Sequence, residues 1–509
     1  MSMDMFCCLK KIFFKNHRFF TGWRFYVGRD PRQVPHGSLI LFPLMPTVLC
    51  CGFAGIVTIG KPDKLRDGNM IEELDCLWKE IRNKDIKAAL AGATDANLYL
   101  SGRQCLEQAE AAVLQLKTDR HFEYLFHDSK KRQKLACLAE EMQEFLSQQE
   151  TLLEEKAAHL STADLEAINS RLVQLKDVVW ALEKDVLENI DKIAALANVK
   201  DSREITQAAF LKYKKINFLL NCLDRLEVRG RDSAGIQISF AFPGAESRKM
   251  EVLVEELKQK NLYDAFKERI RHRDFTNGSI TFCSGGAVKE DQSSQWRFSF
   301  IYKTSSVIGE LGRNVRELRN VIAEDRIFQE FANLDVTSDV CFAHTRWASV
   351  GSITVENCHP INNFTVCDSA SSEIKDYPRY GKDNWTISVV LNGDIDNYPS
   401  LRKSLETTQH QIAAEMTTDT KIIPMQIEKY LLEGHDLAEA FRLAVNDFEG
   451  SHAVAMISDV EPGKAFLALK GSGQSIYVGI APDQYLFSSE LYGLVERTPF
   501  FLKMDGEKL

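Results

Sequence analysis

Apolar positions along this chain follow two periods, arranged in blocks. From about Asp63 to Ala208 the sequence is charged, rich in Leu and Ala and nearly free of proline. Its best-defined stretch runs Leu165, Ile168, Leu172, Leu175, Val179, Leu182, Val186, Asn189, Ile193, Leu196, in steps of three and four, the spacing of a coiled-coil seam. Ser161 and Asp164 predict its start as a capping-box-like pair, with Asp in place of the usual Glu. Leu135, Leu138, Met142, Phe145, Gln149 and Leu152 repeat the pattern upstream. The break between them, Ala157 to Thr162, is short, and short connections favour antiparallel neighbours. The block therefore reads as an inserted helical hairpin or small bundle. It serves either as a dimerisation or partner surface, or as an intramolecular bundle that buries its own stripe. The second is the simpler reading. Asn189, polar at a seam position, suits a register-fixing role. His121 and His127 read as surface residues, because no second pair of ligands lies at metal-binding spacing.

Phe210 to Leu226 is helical again, and period two then takes over. Ile236–Phe240, Ile280–Cys283, Trp296–Tyr302, Val340–Phe342, Trp385–Leu391, Ala453–Ser458, Ala465–Leu469, Ile476–Ile480 and Tyr485–Ser488 read as strands. Helices are expected over Glu310–Ile322, from Leu401, over Lys421–Leu432 and from Leu437. This grouping predicts mixed α/β structure with largely antiparallel strands and helix layers, rather than repeated strand–helix–strand units. The earliest strand candidate is the short apolar run after Cys51, which places a thiol at the mouth of a buried strand.

At 509 residues the chain has room for two to four domains. A net charge of -9 gives no electrostatic case for nucleic acid. Twelve cysteines without a compact framework suggest reduced thiols in a cytoplasmic protein. No apolar run is long enough for a membrane-spanning helix. Residues 1–50 stand apart, basic and aromatic, with an apolar stretch from Ser38 to Cys50 interrupted by Pro43 and Pro46. They are read as a removed pro-segment or an upstream extension with Met45 as the true start; a secretory signal is the weaker alternative.

Several segments carry candidate chemistry. Arg229-Gly230-Arg231-Asp232-Ser233-Ala234-Gly235 predicts a tight turn with close backbone approach. Arg346 and Trp347 at a strand end suit a small carboxylate, which a guanidinium grips with parallel hydrogen bonds; a surface Arg stacked on an aromatic is the bland reading. Asn392 followed by Gly393 can aim two donors at a developing oxyanion, although Asn-Gly is more often a plain turn. Asp419 in Thr417-Thr418-Asp419-Thr420 is either part of an N-cap or a carboxylate for a substrate ammonium.

Together, Cys51–Gly55, Arg225–Gly235, Ala343–Gly351, Val389–Tyr398 and Thr418–Lys421 resemble the class II glutamine amidotransferases. They are most similar to the glutaminase half of the glutamine–fructose-6-phosphate aminotransferases, with RLEVRGRDSAG and AHTRWASVG as the most specific matches. The resemblance covers roughly residues 51–62 and 209–509, with 63–208 as the insertion. It implies an α+β fold, a four-layer αββα sandwich of the N-terminal-nucleophile hydrolase type. It also implies a mechanism without metal or cofactor. Cys51 would attack the glutamine side-chain amide, its own α-amino group acting as base. Asn392 and the Gly393 N–H would stabilise the oxyanion, Arg346 would hold the substrate carboxylate and Asp419 its ammonium. Trp347 would help close the site and Arg229 order the loop around the thiol. Ser349 and His359 complete the substrate-side candidates.

The sequence departs from the family pattern. Cys50 precedes Cys51, so a free amine requires cleavage between them. Val350 and Leu391 replace usual histidines, and Ser349 a usual threonine. The end of the chain, Phe501 to Glu507, resembles the end of the glutaminase half. The sugar-phosphate isomerase domains that follow in the family are therefore expected on a longer protein of which this is a fragment. The expected partners are glutamine, a sugar phosphate through that missing region, and a second copy in a homo-oligomer. A different acceptor such as phosphoribosyl pyrophosphate, or an inactive glutamine-binding or scaffolding module, is the alternative.

Overall fold

The computed structural model describes residues 26–27, 51–59, 69–90, 96–157, 160–199, 201–243, 247–272, 275–285, 295–305, 310–364, 385–408, 411–481 and 483–504. Nearly all of the first fifty residues, read above as a pro-segment or extension, lie outside them. The strands are β1 (Tyr26–Val27), β2 (Gly52–Thr58), β3 (Ser233–Pro243), β4 (Ser279–Gly285), β5 (Gln295–Ser305), β6 (Ser338–Arg346), β7 (Ile361–Asn362), β8 (Ile387–Gly393), β9 (His452–Ser458), β10 (Ala465–Lys470), β11 (Tyr477–Ile480), β12 (Gln484–Ser488) and β13 (Phe501–Lys503). They form a nine-stranded sheet, β1-β13-β11-β12-β2-β6-β3-β5-β4, and a four-stranded sheet, β10-β9-β8-β7. The described ladders are all antiparallel. The architecture is mixed α and β, as the grouping of periods predicts.

Period two sorts the strand residues onto different cores. Phe53, Val340 and Phe342 of the large sheet meet Val390, Ala453, Ala455 and Ile457 of the small one, so the two sheets face each other across this cluster. The alternate residues Ala54, Ile56, Ile236, Ile238, Cys341 and Ala343 point the other way, into a large core shared with the helices. On the small sheet, Ile387, Val389, Leu391, Val454 and Met456 likewise turn outward. They meet the helices Tyr398–Thr408, Ile422–Leu432 and Leu437–Asp447. Each sheet thus buries both faces, and the ends of the facing strands converge at one edge of the sandwich.

Helix Gln207–Leu226 lies on β2 and β6. The helices between β2 and it pack in turn on one another and on this layer. All the predicted seam residues from Ile168 to Leu196 are buried, and Leu165 is half-buried. The seam is not one uniform helix. Ala181–Leu187 is a π-helical turn; Val178 with Val179 before it, and Asn189 with Ile190 after it, are buried together, which widens the buried stripe. Ser161 caps its helix by accepting the Asp164 N–H at 3.2 Å. The Asp164 carboxylate accepts from the Ser161 hydroxyl at 2.7 Å, so only half of the expected box forms.

Asn189, the polar seam residue, is buried and hydrogen-bonded to the neighbouring helix Gln207–Leu226. Its Oδ1 accepts from Asn217 Nδ2 at 2.9 Å and Asn221 Nδ2 at 2.8 Å, and its Nδ2 donates to Glu496 at 2.9 Å. Arg319 donates to Oδ1 of Asn217 and Asn221, and Arg225 pairs with Glu496. A buried polar network therefore ties the helix Glu188–Leu196 to the layer on the sheet and to the C-terminal segment. His127, read as a surface residue, is half-buried, its ring 5.3 Å from that of Phe126 and 6.1 Å from that of Phe210. His121 is half-buried too, with Nδ1 3.0 Å from the Thr118 hydroxyl.

Candidate functional site

Cys51 immediately precedes β2, and the register Gly52↔Thr345 sets it level with the end of β6. Its Sγ lies 3.3 Å from the Trp347 N–H, which donates to it, and 3.4 Å from the Trp347 carbonyl. The residue is buried and forms no disulfide.

The segment after helix Gln207–Leu226 underlies this contact. Gly230 lies so close beneath the Arg346–Trp347 peptide that a Cβ there would stand 2.7 Å from Arg346 C and Trp347 N. Asp232 stitches the two segments together. Its N–H donates to the Arg346 carbonyl at 3.0 Å and its carboxylate accepts the Ala348 N–H at 2.8 Å. The Thr345 hydroxyl donates to the Gly230 carbonyl. Arg229 pairs with Glu490, and the adjacent Ser489 hydroxyl accepts the Phe53 N–H at 3.1 Å, so Arg229 is anchored to the same segment that holds β2. Where the sequence predicts a turn up to Gly235, β3 already begins at Ser233, paired with Arg346.

Arg346 is only 3% exposed, and its guanidinium is held by the Ser352 carbonyl at 2.9 Å and the Val350 carbonyl. Trp347 is 37% exposed beside it. The Ser349 hydroxyl donates to Asp394, which follows Asn392 and Gly393. Asp419 accepts the Ile395 N–H at 3.0 Å. Burial pushes its carboxyl up, Asp394 adds to this, and Arg346 opposes it. Asn357 ties the two loops: its Oδ1 accepts the N–H groups of Thr417 at 2.7 Å and Thr418 at 2.9 Å, while its Nδ2 donates to Ser352 Oγ at 3.0 Å. Thr418 caps the turn carrying Asp419, so this residue is part of an N-terminal helical turn and also faces the Asn392–Ile395 segment.

Asn392 is the penultimate residue of β8, 1% exposed. Its amide lies near the His344 imidazole, yet neither Nδ2 nor Oδ1 reaches a hydrogen-bond partner in good geometry. Gly393 has φ +89, and a Cβ there would fall 2.1 Å from the Ser451 carbonyl oxygen, so only glycine fits. His344 Nε2 meets the Leu391 carbonyl at 2.8 Å, and its ring stacks 4.3 Å from that of His359. Burial lowers His344 to about 3 and holds His359 well below its ordinary value, so both are neutral. His359 Nε2 meets the Thr420 hydroxyl at 2.9 Å, so its contact is with the turn carrying Asp419.

The nine candidates thus belong to one contact network at one edge of the sandwich. Cys51 joins Trp347; the Arg346–Ser349 stretch joins Asp394, beside Asn392 and Gly393; Ile395 joins Asp419, next to Thr420 and His359. Arg229 sits behind the network, through Glu490. Sequence reasoning missed Asp232, His344, Asn357 and Glu490. Asp232 and His344 stand inside the quoted motifs, and their polarity among small and apolar neighbours was the available signal.

Residues 370–496 match the family model described as a glutamine amidotransferase domain. Among curated relatives, the glutamine–fructose-6-phosphate aminotransferase (isomerizing) of Methanothermobacter thermautotrophicus is 33% identical over 36% of this chain and 28% of its own length. That of Clostridium tetani is 31% identical over 37% and 26%, and that of Helicobacter pylori 26% identical over 51% and 33%. The matches thus span about a third or less of those relatives. A solved glutamine phosphoribosylpyrophosphate amidotransferase from B. subtilis aligns at 14% identity over 54% of this chain and 49% of its own, with a TM-score of 0.29, too slight a likeness to bear on the fold.

Proposed function

Proceeding from a chain that carries a class II glutamine amidotransferase domain, we propose that it hydrolyses the side-chain amide of glutamine at Cys51. The fold read here is the αββα arrangement of N-terminal-nucleophile hydrolases, over residues 51–62 and 209–509, with 63–208 as an inserted helical unit. The observation that carries the proposal is the Cys51 sulfur lying 3.3 Å from the Trp347 N–H, next to a buried Arg346.

Cleavage of the 50–51 peptide bond frees the Cys51 α-amine, whose ordinary pKa near neutrality suits it to take the thiol proton. The thiolate attacks the amide carbon, and the carbonyl oxygen becomes an oxyanion facing Asn392 Nδ2 and the Gly393 N–H. The α-ammonium returns its proton to the departing nitrogen, and ammonia leaves. Water then attacks the thioester, releases glutamate and restores the thiol. Arg346 pairs with the substrate carboxylate and Asp419 with its ammonium; the ionised ligand stabilises an Asp419 carboxylate that burial otherwise disfavours.

The departures from the family pattern fall where main-chain atoms or a shared hydroxyl make the contact. Val350 and Leu391 use their carbonyls, and Ser349 the hydroxyl that Thr also has. This favours a working site over an inactive module. By the names of its relatives, the ammonia is destined for fructose 6-phosphate, giving glucosamine 6-phosphate. The test is release of glutamate and ammonia from glutamine by the purified protein, lost in Cys51→Ala. Glutamine binding without turnover in the unaltered protein refutes the enzyme reading.

A further inference from the structure

A second polar region lies between the sheets at the opposite end from Cys51. Val340 and Arg346 stand six residues apart on β6, which sets the two ends roughly 20 Å apart at a strand's usual rise. Apolar Phe342, Val390, Ala453 and Ala455 fill the space between them. At the far end is a cavity of ≈ 30 Å³, its walls including Gln237, Arg297, Thr386, Ser388, Asp459 and Lys464. That volume admits a guest of one or two water-sized units.

The walls are rich in acceptors. Gln237 donates its Nε2 to Ser239 Oγ at 3.2 Å, which leaves Oε1, an acceptor only, buried without a partner. The Ser388 hydroxyl is buried without a partner as well, and the Thr386 hydroxyl lies near the Asp459 carboxylate without a well-formed hydrogen bond. Gln237, Thr386 and Ser388 are 2%, 2% and 1% exposed. Asp459 Oδ1 takes the Thr386 N–H at 2.7 Å. Buried polar groups are rarely left unpaired, and here Gln237 Oε1 and the Ser388 hydroxyl, one from each sheet, are left so beside a carboxylate.

The geometry points to a binding site for a small monovalent cation of the size of ammonium or potassium, held by Gln237 Oε1, the Thr386 and Ser388 hydroxyls and the Asp459 carboxylate. An ammonium ion offers N–H donors enough for all of these oxygens, and potassium takes the same oxygens without directional demand. Arg297 opposes the bound charge from β5, as does Lys464 at the rim, where it pairs with Glu461. The Cys283 thiol nearby is pushed up to about 12 by burial and contributes no charge. The site therefore depends on an ionised Asp459. Burial raises that group to about 7, against the pull of the Thr386 N–H and Arg297. Cation binding strengthens as pH rises through that value, because protonation removes the one negative charge.

Thermal unfolding of the full chain at constant ionic strength, in tetramethylammonium, sodium, potassium or ammonium chloride at pH 6 and pH 8, tests this. The expected result is a saturable rise in Tm of roughly 1–3 °C in ammonium or potassium over tetramethylammonium, larger at pH 8, and lost in Ser388→Ala and Gln237→Leu. A rise in ammonium alone narrows the ligand to a hydrogen-bonding cation; equal rises in both assign the cation class. Equal Tm in all salts, or a rise retained in both variants, overturns the proposal. If neither variant folds, thallium(I) soaked into crystals of the unaltered protein decides: an anomalous peak among these oxygens supports the site, and its absence there refutes it.

Discussion

Replacing Asn392 by leucine separates what this side chain does for the reaction from what it does for the fold. The amide is buried at 1% exposure, with Nδ2 and Oδ1 both lacking a well-formed hydrogen bond. Leaving a buried amide unpaired costs about 1–3 kcal/mol, whereas an apolar group of the same shape is nearly neutral or stabilising. Leucine has nearly the outline of asparagine, so Asn392→Leu leaves little cavity and removes that cost. The expected stability change lies between zero and a gain of about 2 kcal/mol. If Nδ2 is a donor kept for the oxyanion, kcat falls by about 10²–10³-fold, the usual loss of one such donor. KM for glutamine changes little, because the donor acts on charge that forms only in the transition state. Urea unfolding with unchanged m-value, and initial rates of glutamate release, measure the two quantities on one preparation. A variant that loses about 2 kcal/mol or more shows the amide to be structural. A variant with nearly unchanged kcat shows that it is not the oxyanion donor. Either result refutes the reasoning.

Three further outcomes are expected. Arg346→Lys loses the planar fork gripped by the Val350 and Ser352 carbonyls; KM for glutamine rises by about 10–100-fold while kcat changes far less, as steady-state kinetics will show. Glu496→Ala leaves half-buried Arg225 and buried Asn189 and Asn221 around a missing carboxylate; it costs about 1.5–3 kcal/mol in urea unfolding, and a loss below about 1 kcal/mol contradicts the role given to this network. Acid destabilises the fold through His344. Its folded value near 3 lies below the ordinary 6.5, so the unfolded chain binds a proton that the folded chain does not, and the stability present above 6.5 is lost as pH falls toward 3. Between pH 7 and pH 5 this amounts to about 2 kcal/mol, with His359 acting in the same direction, and His344→Gln flattens the pH dependence.

Local periodicity made the strands legible but not their pairing: Phe53 and Ala54, or Val389 and Val390, are all apolar in sequence, and the structure sends them to different cores. The chain of contacts that links Cys51, Arg346, Asn392 and Asp419 through Trp347, Ser349, Asp394 and Ile395 is long-range, and motif order rather than periodicity pointed to it. What escaped was whatever depends on a partner far along the chain. Nothing near Arg229 announces Glu490, and nothing near Asn357 announces Thr417. Asn189 has the spacing and the burial of a seam residue, but its partners Asn217, Asn221 and Glu496 lie far along the chain. The polar cavity between the sheets left no sequence signal, since Gln237, Thr386 and Ser388 read singly as ordinary strand residues.

Tandem mass spectrometry of enzyme quenched in acid during turnover of glutamine bears most directly on Cys51 as a nucleophile served by its own amine. The account predicts a glutamyl thioester on Cys51, in a peptide that begins with that residue. Thioester on a peptide still carrying Cys50, or full activity with no adduct at Cys51, contradicts it.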